Sequence, residues 1–258
     1  MENFGDSELM DYNGIPVNRI SDNVEETGAF IAIDKPYRWT STDVVRKVKA
    51  LMKQHYGLKK LKIGHSGTLD PLATGVLIIC LGRKATRMVD ELQSHRKTYV
   101  TEIMLGATTP CFDLEKEVDQ TYPWEHITKE SVEEVLKGFI GEQDQIPPIY
   151  SAKSVDGKRA YDIARSGNEV ELKASRITIW NTQLLSFDLP VVKVEMECSK
   201  GTYVRSFGRD IGERLASGGH LISLRRTATG PFLASGCLSI EEIEKIISDH
   251  RNKGGFPS

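Results

Sequence analysis

Hydrophobic positions along this chain switch between a period of two and a period of three to four, which predicts alternating strands and helices with no internal repeat. Residues 29–33 alternate briefly and predict a short strand ending at Asp34-Lys35-Pro36. Ser41 and Thr42 are the expected caps of a helix that carries Val44, Val45, Val48, Leu51 and Met52 on one side. Residues 76–81 predict a buried strand, and 97–105 an alternating one. Thr128 caps a helix with Val132, Val135, Leu136 and Phe139 at helical spacing. Val192, Val194, Met196 and Cys198 face one way and Lys193, Glu195 and Glu197 the other, the pattern of a half-buried strand. Val204, Phe207, Ile211 and Leu215 mark a further helix, and Ser239-Ile240-Glu241-Glu242 is a capping box opening the last one. Residues 1–27 are acidic and unpatterned and predict a flexible tail, and 251–258 a polar end. The expected class is α/β of the α+β type, with a mixed, largely antiparallel sheet flanked by helices and no clean linker.

Composition narrows the function classes. With 258 residues the chain is long enough for one large domain or two small ones. Hydrophobic residues at 39% and charged residues at 27% exclude a disordered chain. The longest apolar run, 76–81, is far short of the roughly 20 residues that span a bilayer. The acidic N-terminus carries no signal or transit pattern, and Cys80, Cys111, Cys198 and Cys237 form no C-x-x-C pair. A reducing, cytoplasmic setting without membrane or metal follows as the expectation. The net charge of −2 conceals segregation: residues 1–28 carry −6, residues 35–69 carry +8 and residues 111–145 carry −7. A polyanion responds to the local field, so the basic stretch keeps nucleic acid in view; the alternative is the solvated face of one amphipathic helix.

Two segments carry candidate chemistry. Residues 64–75 pack Gly64, His65, Gly67, Asp70, Pro71 and Gly75 between apolar stretches, so they must follow an irregular path. Pro71 biases Asp70 toward an extended backbone that presents its carboxylate, whereas a plain Asx turn would spend it on neighbouring amides. The second segment, 198–205, joins a strand to a helix. Arg205 there could orient a carboxylate, although spacing alone favours an exposed arginine.

These segments, with others in one order, resemble the TruB family of pseudouridine synthases. The loop 64–75 followed by Val76-Leu77 resembles its catalytic loop. Residues 30–36 with Ser41 and Asp43 resemble its first motif, and Lys97-Thr98-Tyr99 the motif of its active-site tyrosine. Residues 145–152 with Gly157, Lys158 and Tyr161 resemble its RNA-gripping insertion, placed at about 145–167. Residues 199–205 match the arginine motif and Leu224-Arg225-Arg226 the late strand, so the resemblance covers about 28–248.

The resemblance implies one catalytic domain over 28–250 with an RNA-binding cleft, working without cofactor. Its reaction detaches a uracil from its ribose, rotates it and rejoins it through carbon, and the implied target is uridine 55 in the T loop of tRNA. Asp70 would be the nucleophile and Arg205 would hold it ionised and oriented. Tyr99 would stack on the base and assist loss of the carbon-5 proton. Tyr203 and the Leu224 backbone would line the uracil pocket. His65 reads as a prop for RNA whose base has left the stack, against general acid–base work as the alternative. Lys35, grouped with the substrate-binding residues, could contact a phosphate, but the resemblance favours packing that buttresses the catalytic loop. Tyr150 and Lys158 belong to the grip, although 158–165 also reads as an amphipathic helix. The family's C-terminal PUA-type module has no counterpart after the last motif. The partner implied is the T-arm stem-loop of tRNA, bound by a monomer without an obligatory protein partner. A tRNA-folding protein whose catalysis is secondary is the alternative function, and a hydrolase of small nucleosides fits poorly with the basic stretch.

Overall fold

The computed structural model describes residues 11–149, 154–155, 158–159 and 173–253, with backbone alone at 154–155, 158–159 and 250–253. In chain order the elements begin β1 (Asp11–Tyr12), β2 (Ile15–Pro16), α1 (Val24–Thr27), β3 (Ala29–Lys35), α2 (Ser41–Tyr56), β4 (Ile63–Ser66) and β5 (Ala73–Leu81). They continue with α3 (Gly82–Thr86), α4 (Val89–Ser94), β6 (Lys97–Leu105), β7 (Ala107–Thr108), β8 (Gln120–Thr121), α5 (Lys129–Lys137) and β9 (Gly141–Gln145). The rest are β10 (Ser154–Val155), β11 (Lys158–Arg159), β12 (Ser175–Asp188), β13 (Val191–Cys198), α6 (Val204–Arg214), β14 (Gly219–Thr229), β15 (Phe232–Leu233) and α7 (Ile240–Lys253). They gather into two compact units, one of residues up to Lys97 with those from Arg225 onward, the other Thr98–Leu224. The boundaries fall within strands β6 and β14, so no composition shift marks them.

In the first unit β3 and β5 are buried along nearly their whole length and pair antiparallel, from Ala29 opposite Leu81 to Lys35 opposite Gly75. Such continuous apolar runs are what a strand covered on both faces requires. The far half of β5 also pairs with β4, His65 lying opposite Ile79. Helix α2 buries Val44, Val48, Leu51 and Met52. Its cap is Thr40 rather than the expected Ser41 or Thr42: the Thr40 hydroxyl accepts the Asp43 N–H at 3.0 Å while Asp43 Oδ2 accepts the Thr40 N–H at 3.0 Å. The last helix opens as expected, with Ser239 and Glu242 capping reciprocally, but it runs on to Lys253.

The tail expected over 1–27 is corrected from Asp11 onward. Asn13 and Gly14, both at positive φ, close the β1–β2 hairpin, the two-residue turn that matches strand twist. Ile15, Val17 and Val24 are buried, Ile15 within the core cluster around Phe30, Val76, Ile78 and Phe232. Asn18 extends the edge by accepting the Ala32 N–H at 2.9 Å, and Tyr12 bonds Glu91 at 2.9 Å and His95 at 2.7 Å. Three apolar side chains spaced irregularly among acids leave no periodic signal, and the burial is decided by tertiary packing.

The second unit is antiparallel and alternating. β6 and β13 expose every second residue, and β12 pairs with β13 on one side and β9 on the other. Helix α6 buries Phe207 against Phe139 of the α5 end, ring centroids 4.9 Å apart, and the Arg214 guanidinium lies 3.7 Å above the Phe139 ring. Lys158 and Arg159 form β11, antiparallel to β10, and the rest of the helix expected over 158–165 lies outside the described residues. The α/β class and the largely antiparallel sheets are those the pattern predicts.

The N-terminal correction has a direct check. Ile15→Ala should lower the unfolding free energy by about 2–4 kcal/mol, the cost of a core truncation, read from the denaturant midpoint at constant m-value. An unchanged midpoint would return 11–27 to the status of a loose tail.

Candidate active site

Asp70 sits on the loop between β4 and β5, half-buried, and the chain on both sides of it is tied down. On the near side, Leu69 donates its N–H to the Ser41 hydroxyl at 2.9 Å and its carbonyl lies 3.2 Å from the same oxygen. On the far side, the Pro71 carbonyl accepts the Arg38 N–H at 2.9 Å and lies 3.3 Å from Lys35 Nζ. Asp70 itself closes a turn, its carbonyl accepting the Ala73 N–H at 3.1 Å.

Lys35 has no exposed surface, and its ammonium also donates to the carbonyls of Pro36 at 3.1 Å and Trp39 at 2.5 Å. A phosphate cannot reach it, so its place among substrate-binding residues is corrected to that of a buttress under the loop. Burial pushes its pKa down to about 8; Asp70 resists that shift and Arg226 adds to it.

Arg226 closes the loop from beneath. It is 2% exposed, donating Nε–H to the Val76 carbonyl at 2.7 Å and Nη2–H to the Gly67 carbonyl at 3.0 Å. A Cβ on Gly75 would lie 2.1 Å from the Arg226 carbonyl oxygen, so only glycine, here at φ 100°, lets the two strands approach. Next to it Arg225 grips Asp34 with two bonds of 3.0 and 2.6 Å, and Asp34 accepts the Gly75 N–H at 3.1 Å. The late motif thus contributes two arginines to the loop, which sequence reasoning missed by attending to Leu224 alone.

His65 is half-buried on β4, its Nδ1 enclosed and without a hydrogen-bond partner among the described residues. Burial and the charge of Arg226 hold its pKa below the usual histidine value, which keeps the ring neutral at physiological pH.

The second unit holds Tyr99, Arg205, Tyr203 and Leu224. Tyr99 on β6 is 8% exposed and Leu224 on β14 half-buried. Arg205, in the first turn of α6, is buried rather than exposed. Its Nη1–H donates to the Cys111 carbonyl at 3.2 Å, and its Nε stands 3.6 Å from Asp113 Oδ2. Helical spacing failed here because the covering carboxylate comes from a loop some ninety residues earlier. Asp113 is a third residue the sequence did not reveal, after Arg225 and Arg226. Buried Gln145 pins Tyr203 as a peptide group would, accepting its N–H at 2.8 Å and donating to its carbonyl at 3.0 Å. The next carbonyl, Ile146, accepts the Ser206 hydroxyl at 2.8 Å. Of the remaining grip residues, Tyr150 lies outside the described residues and Lys158 is described by its backbone only. Among the described residues no cluster of His, Cys, Asp and Glu could hold a metal, and no helix is long and apolar enough to cross a membrane.

Solved structures share this fold. A chain of a Cbf5-Nop10-Gar1 complex aligns over 93% of this protein with a TM-score of 0.66 and 27% identity. A chain of the archaeal box H/ACA sRNP Nop10-Cbf5 complex aligns over 92% with a TM-score of 0.62 and 25% identity. This protein spans 61% of the length of each. Residues 53–204 match the N-terminal domain of the TruB family pseudouridylate synthases, and 205–254 match the tRNA pseudouridylate synthase B C-terminal domain. The class is therefore that of the pseudouridylate synthases, and within it the chain belongs to the TruB family. It is 53% identical over 231 residues to tRNA pseudouridine synthase B of Phocaeicola vulgatus, covering 86% of this chain and 98% of that one. The protein of the same name from Parabacteroides distasonis is 52% identical, over 86% of this chain and 94% of that one. From Flavobacterium johnsoniae it is 46% identical, over 85% and 96%.

The buried ammonium gives a pH signature. Between about pH 8 and the ordinary lysine value of 10.5 the unfolded chain holds the Lys35 proton and the folded chain has released it. The unfolded state then binds more protons, so stability rises with pH across that window. Relative to Lys35→Met, the wild type should gain on the order of 2 kcal/mol from pH 8 to 10.5, read by urea unfolding of both proteins. A difference independent of pH would contradict the buried-ammonium assignment.

Proposed function

We propose that the protein isomerises uridine to pseudouridine in tRNA, and that its target is uridine 55 of the T loop. The observation that carries this reading is the Asp70 loop: a half-buried carboxylate whose neighbours Leu69 and Pro71 are both held by bonds from β3 and α2. RNA binding alone has no need of such a fixed carboxylate, whereas attack or charge stabilisation at a sugar or base carbon needs it aimed before substrate arrives. In the isomerisation the bond from ribose C1′ to uracil N1 breaks and one from C1′ to C5 forms. The C5 proton leaves and N1 regains one, so composition is conserved.

Roles follow from the family resemblance together with each residue's surroundings. Asp70 is the nucleophile, and Arg205, held by Cys111 and Asp113, is the cation that keeps it ionised. Tyr99 stacks on the uracil and takes part in the C5 proton step. Tyr203 and the Leu224 backbone contact the base. A neutral, enclosed His65 ring suits propping the RNA after the target base has been extruded better than it suits acid catalysis. Tyr150 and Lys158 grip the T-arm. The enzyme acts as a monomer in the cytoplasm, without cofactor or obligatory protein partner.

Two measurements on one T-arm transcript test the reading. Wild type should convert uridine 55, and Asp70→Asn should lose roughly a thousandfold or more of the single-turnover rate while filter binding stays within a few-fold. Near-wild-type turnover by Asp70→Asn would sink the nucleophile assignment. Joint loss of binding and turnover would make Asp70 a structural turn residue, and tight binding by a wild type that never isomerises would favour the RNA-folding alternative. Tyr99→Phe should slow the late proton step and accumulate an intermediate. Arg205→Lys, which keeps the charge but loses the planar fork, should slow the early one; identical kinetic profiles would contradict the separate roles.

A further inference from the structure

A second cluster of basic and aromatic groups stands on the outer side of the same loop. Arg38 and Trp39 of the preceding turn, with Asp43, Arg46 and Lys47 of the first turns of helix α2, line an open cavity of about 340 Å³, at the lower end of the range for ligand pockets. Two of its charges are already engaged. Lys47 pairs with Glu244, and Asp43 spends Oδ2 on the Thr40 hydroxyl and amide. Arg46 keeps a side chain 75% exposed, its one contact to Asp43 stretched to 3.5 Å. Arg38 has no ion pair among the described residues, and its guanidinium lies 5.5 Å above the ring of Tyr37, itself 49% exposed. The cavity therefore presents two cations with donors to spare beside two aromatic rings.

The backbone adds an independent sign. Pro36, Tyr37, Arg38 and Trp39 form a turn closed by the Trp39 N–H on the Pro36 carbonyl at 3.4 Å, and Arg38 occupies its third position at φ 65°. Glycine or asparagine is the ordinary occupant there, because a Cβ is strained in the left-handed region. A long cationic side chain kept at such a position is the pattern of a ligand clamp. The same turn is tied to the catalytic loop, since the Arg38 N–H bonds Pro71 and the Trp39 carbonyl takes Lys35.

Resting on the reading of the protein as a tRNA uridine isomerase, we propose that this cavity is a second RNA subsite. It takes one phosphate and one unpaired base of the substrate strand beside the reacting uridine. Arg38 and Arg46 hold the phosphate, and the base stacks on Trp39. The composition is that of single-strand binding, where cations track the backbone and aromatic faces take bases without sequence preference. Asp43, anchored by Thr40, bounds the cavity and sets Arg46.

The test uses the full chain and a T-arm hairpin, with Kd measured across a salt series. Arg38→Gly removes both the cation and the strain. It should leave Tm equal or higher, weaken the hairpin about five- to tenfold, and lower the salt slope by about 0.7–0.9, one phosphate's worth of counterion release. Trp39→Leu, whose carbonyl still serves Lys35, should weaken binding about tenfold. Abasic sites walked along the loop strand should reveal one position whose loss costs the wild type about tenfold and Trp39→Leu nothing further. Wild-type affinity and slope in both variants would overturn the proposal. So would equal losses on an unrelated duplex RNA, which mean a diffuse field, or an abasic cost that is additive with Trp39→Leu at every position. Failure of the parent reading shows separately, as absence of isomerisation by the wild type on tRNA, while the binding arms still read the subsite.

Discussion

The guanidinium of Arg226, shut away from water, ties the Val76 carbonyl to the Gly67 carbonyl and so fixes both ends of the loop that carries Asp70. Burying such a cation is tolerable only when its donors are met, and here carbonyls meet them. The bonds also give those two carbonyls a charged donor inside the first unit, so cation and loop stabilise one another. Lys35 repeats the device from the opposite side with three carbonyls of its own. Two buried positive charges repel, which contributes to the low Lys35 pKa, and the Asp70 carboxylate opposes that shift.

Both units position functional groups through polar contacts. Around Asp70 and at Tyr203 the bonds run to the backbone, and at Arg205 they run to the guanidinium itself. Ser41, Arg38 and Lys35 hold Leu69 and Pro71 around Asp70. Gln145 holds the backbone of Tyr203, and the Cys111 carbonyl with Asp113 holds Arg205. The elements beneath are regular ones: long buried strands in the first unit, a helix and an alternating sheet in the second. Catalytic geometry on loops depends on this kind of scaffold.

Much of this was legible in the chain because the deciding forces are local. A continuous apolar run predicted β5, alternation predicted β6 and β13, and helical spacing predicted α2, α5 and α6; β3 was expected from a brief alternation, but it is buried on both faces. The Gly- and Pro-rich composition marked the Asp70 loop as irregular, and co-linear motifs singled out the candidate residues. What stayed hidden is long-range. Ile15, Val17 and Val24 carry no period, although Asn13-Gly14 was a hairpin signal that could have been read. Asp113 meets Arg205 only after folding, across more than ninety residues. Arg225 and Arg226 look like any basic pair until the strand places one on Asp34 and the other beneath Gly67. At Lys35 the residues alone left a phosphate contact open beside the buttress that the family resemblance favours, and the side chain's burial is what separates the two.

The anchoring of Gln145 and Ile146 has a mechanical side. Gln145 is bonded twice to the Tyr203 backbone, and Ile146 is bonded to Ser206 one turn further along α6. The chain therefore enters the segment after Ile149 from a fixed root welded to the helix that carries Arg205. Three hydrogen bonds thus make Gln145, Ile146 and the first turn of α6 one mechanical piece, and Arg205 rides on that piece.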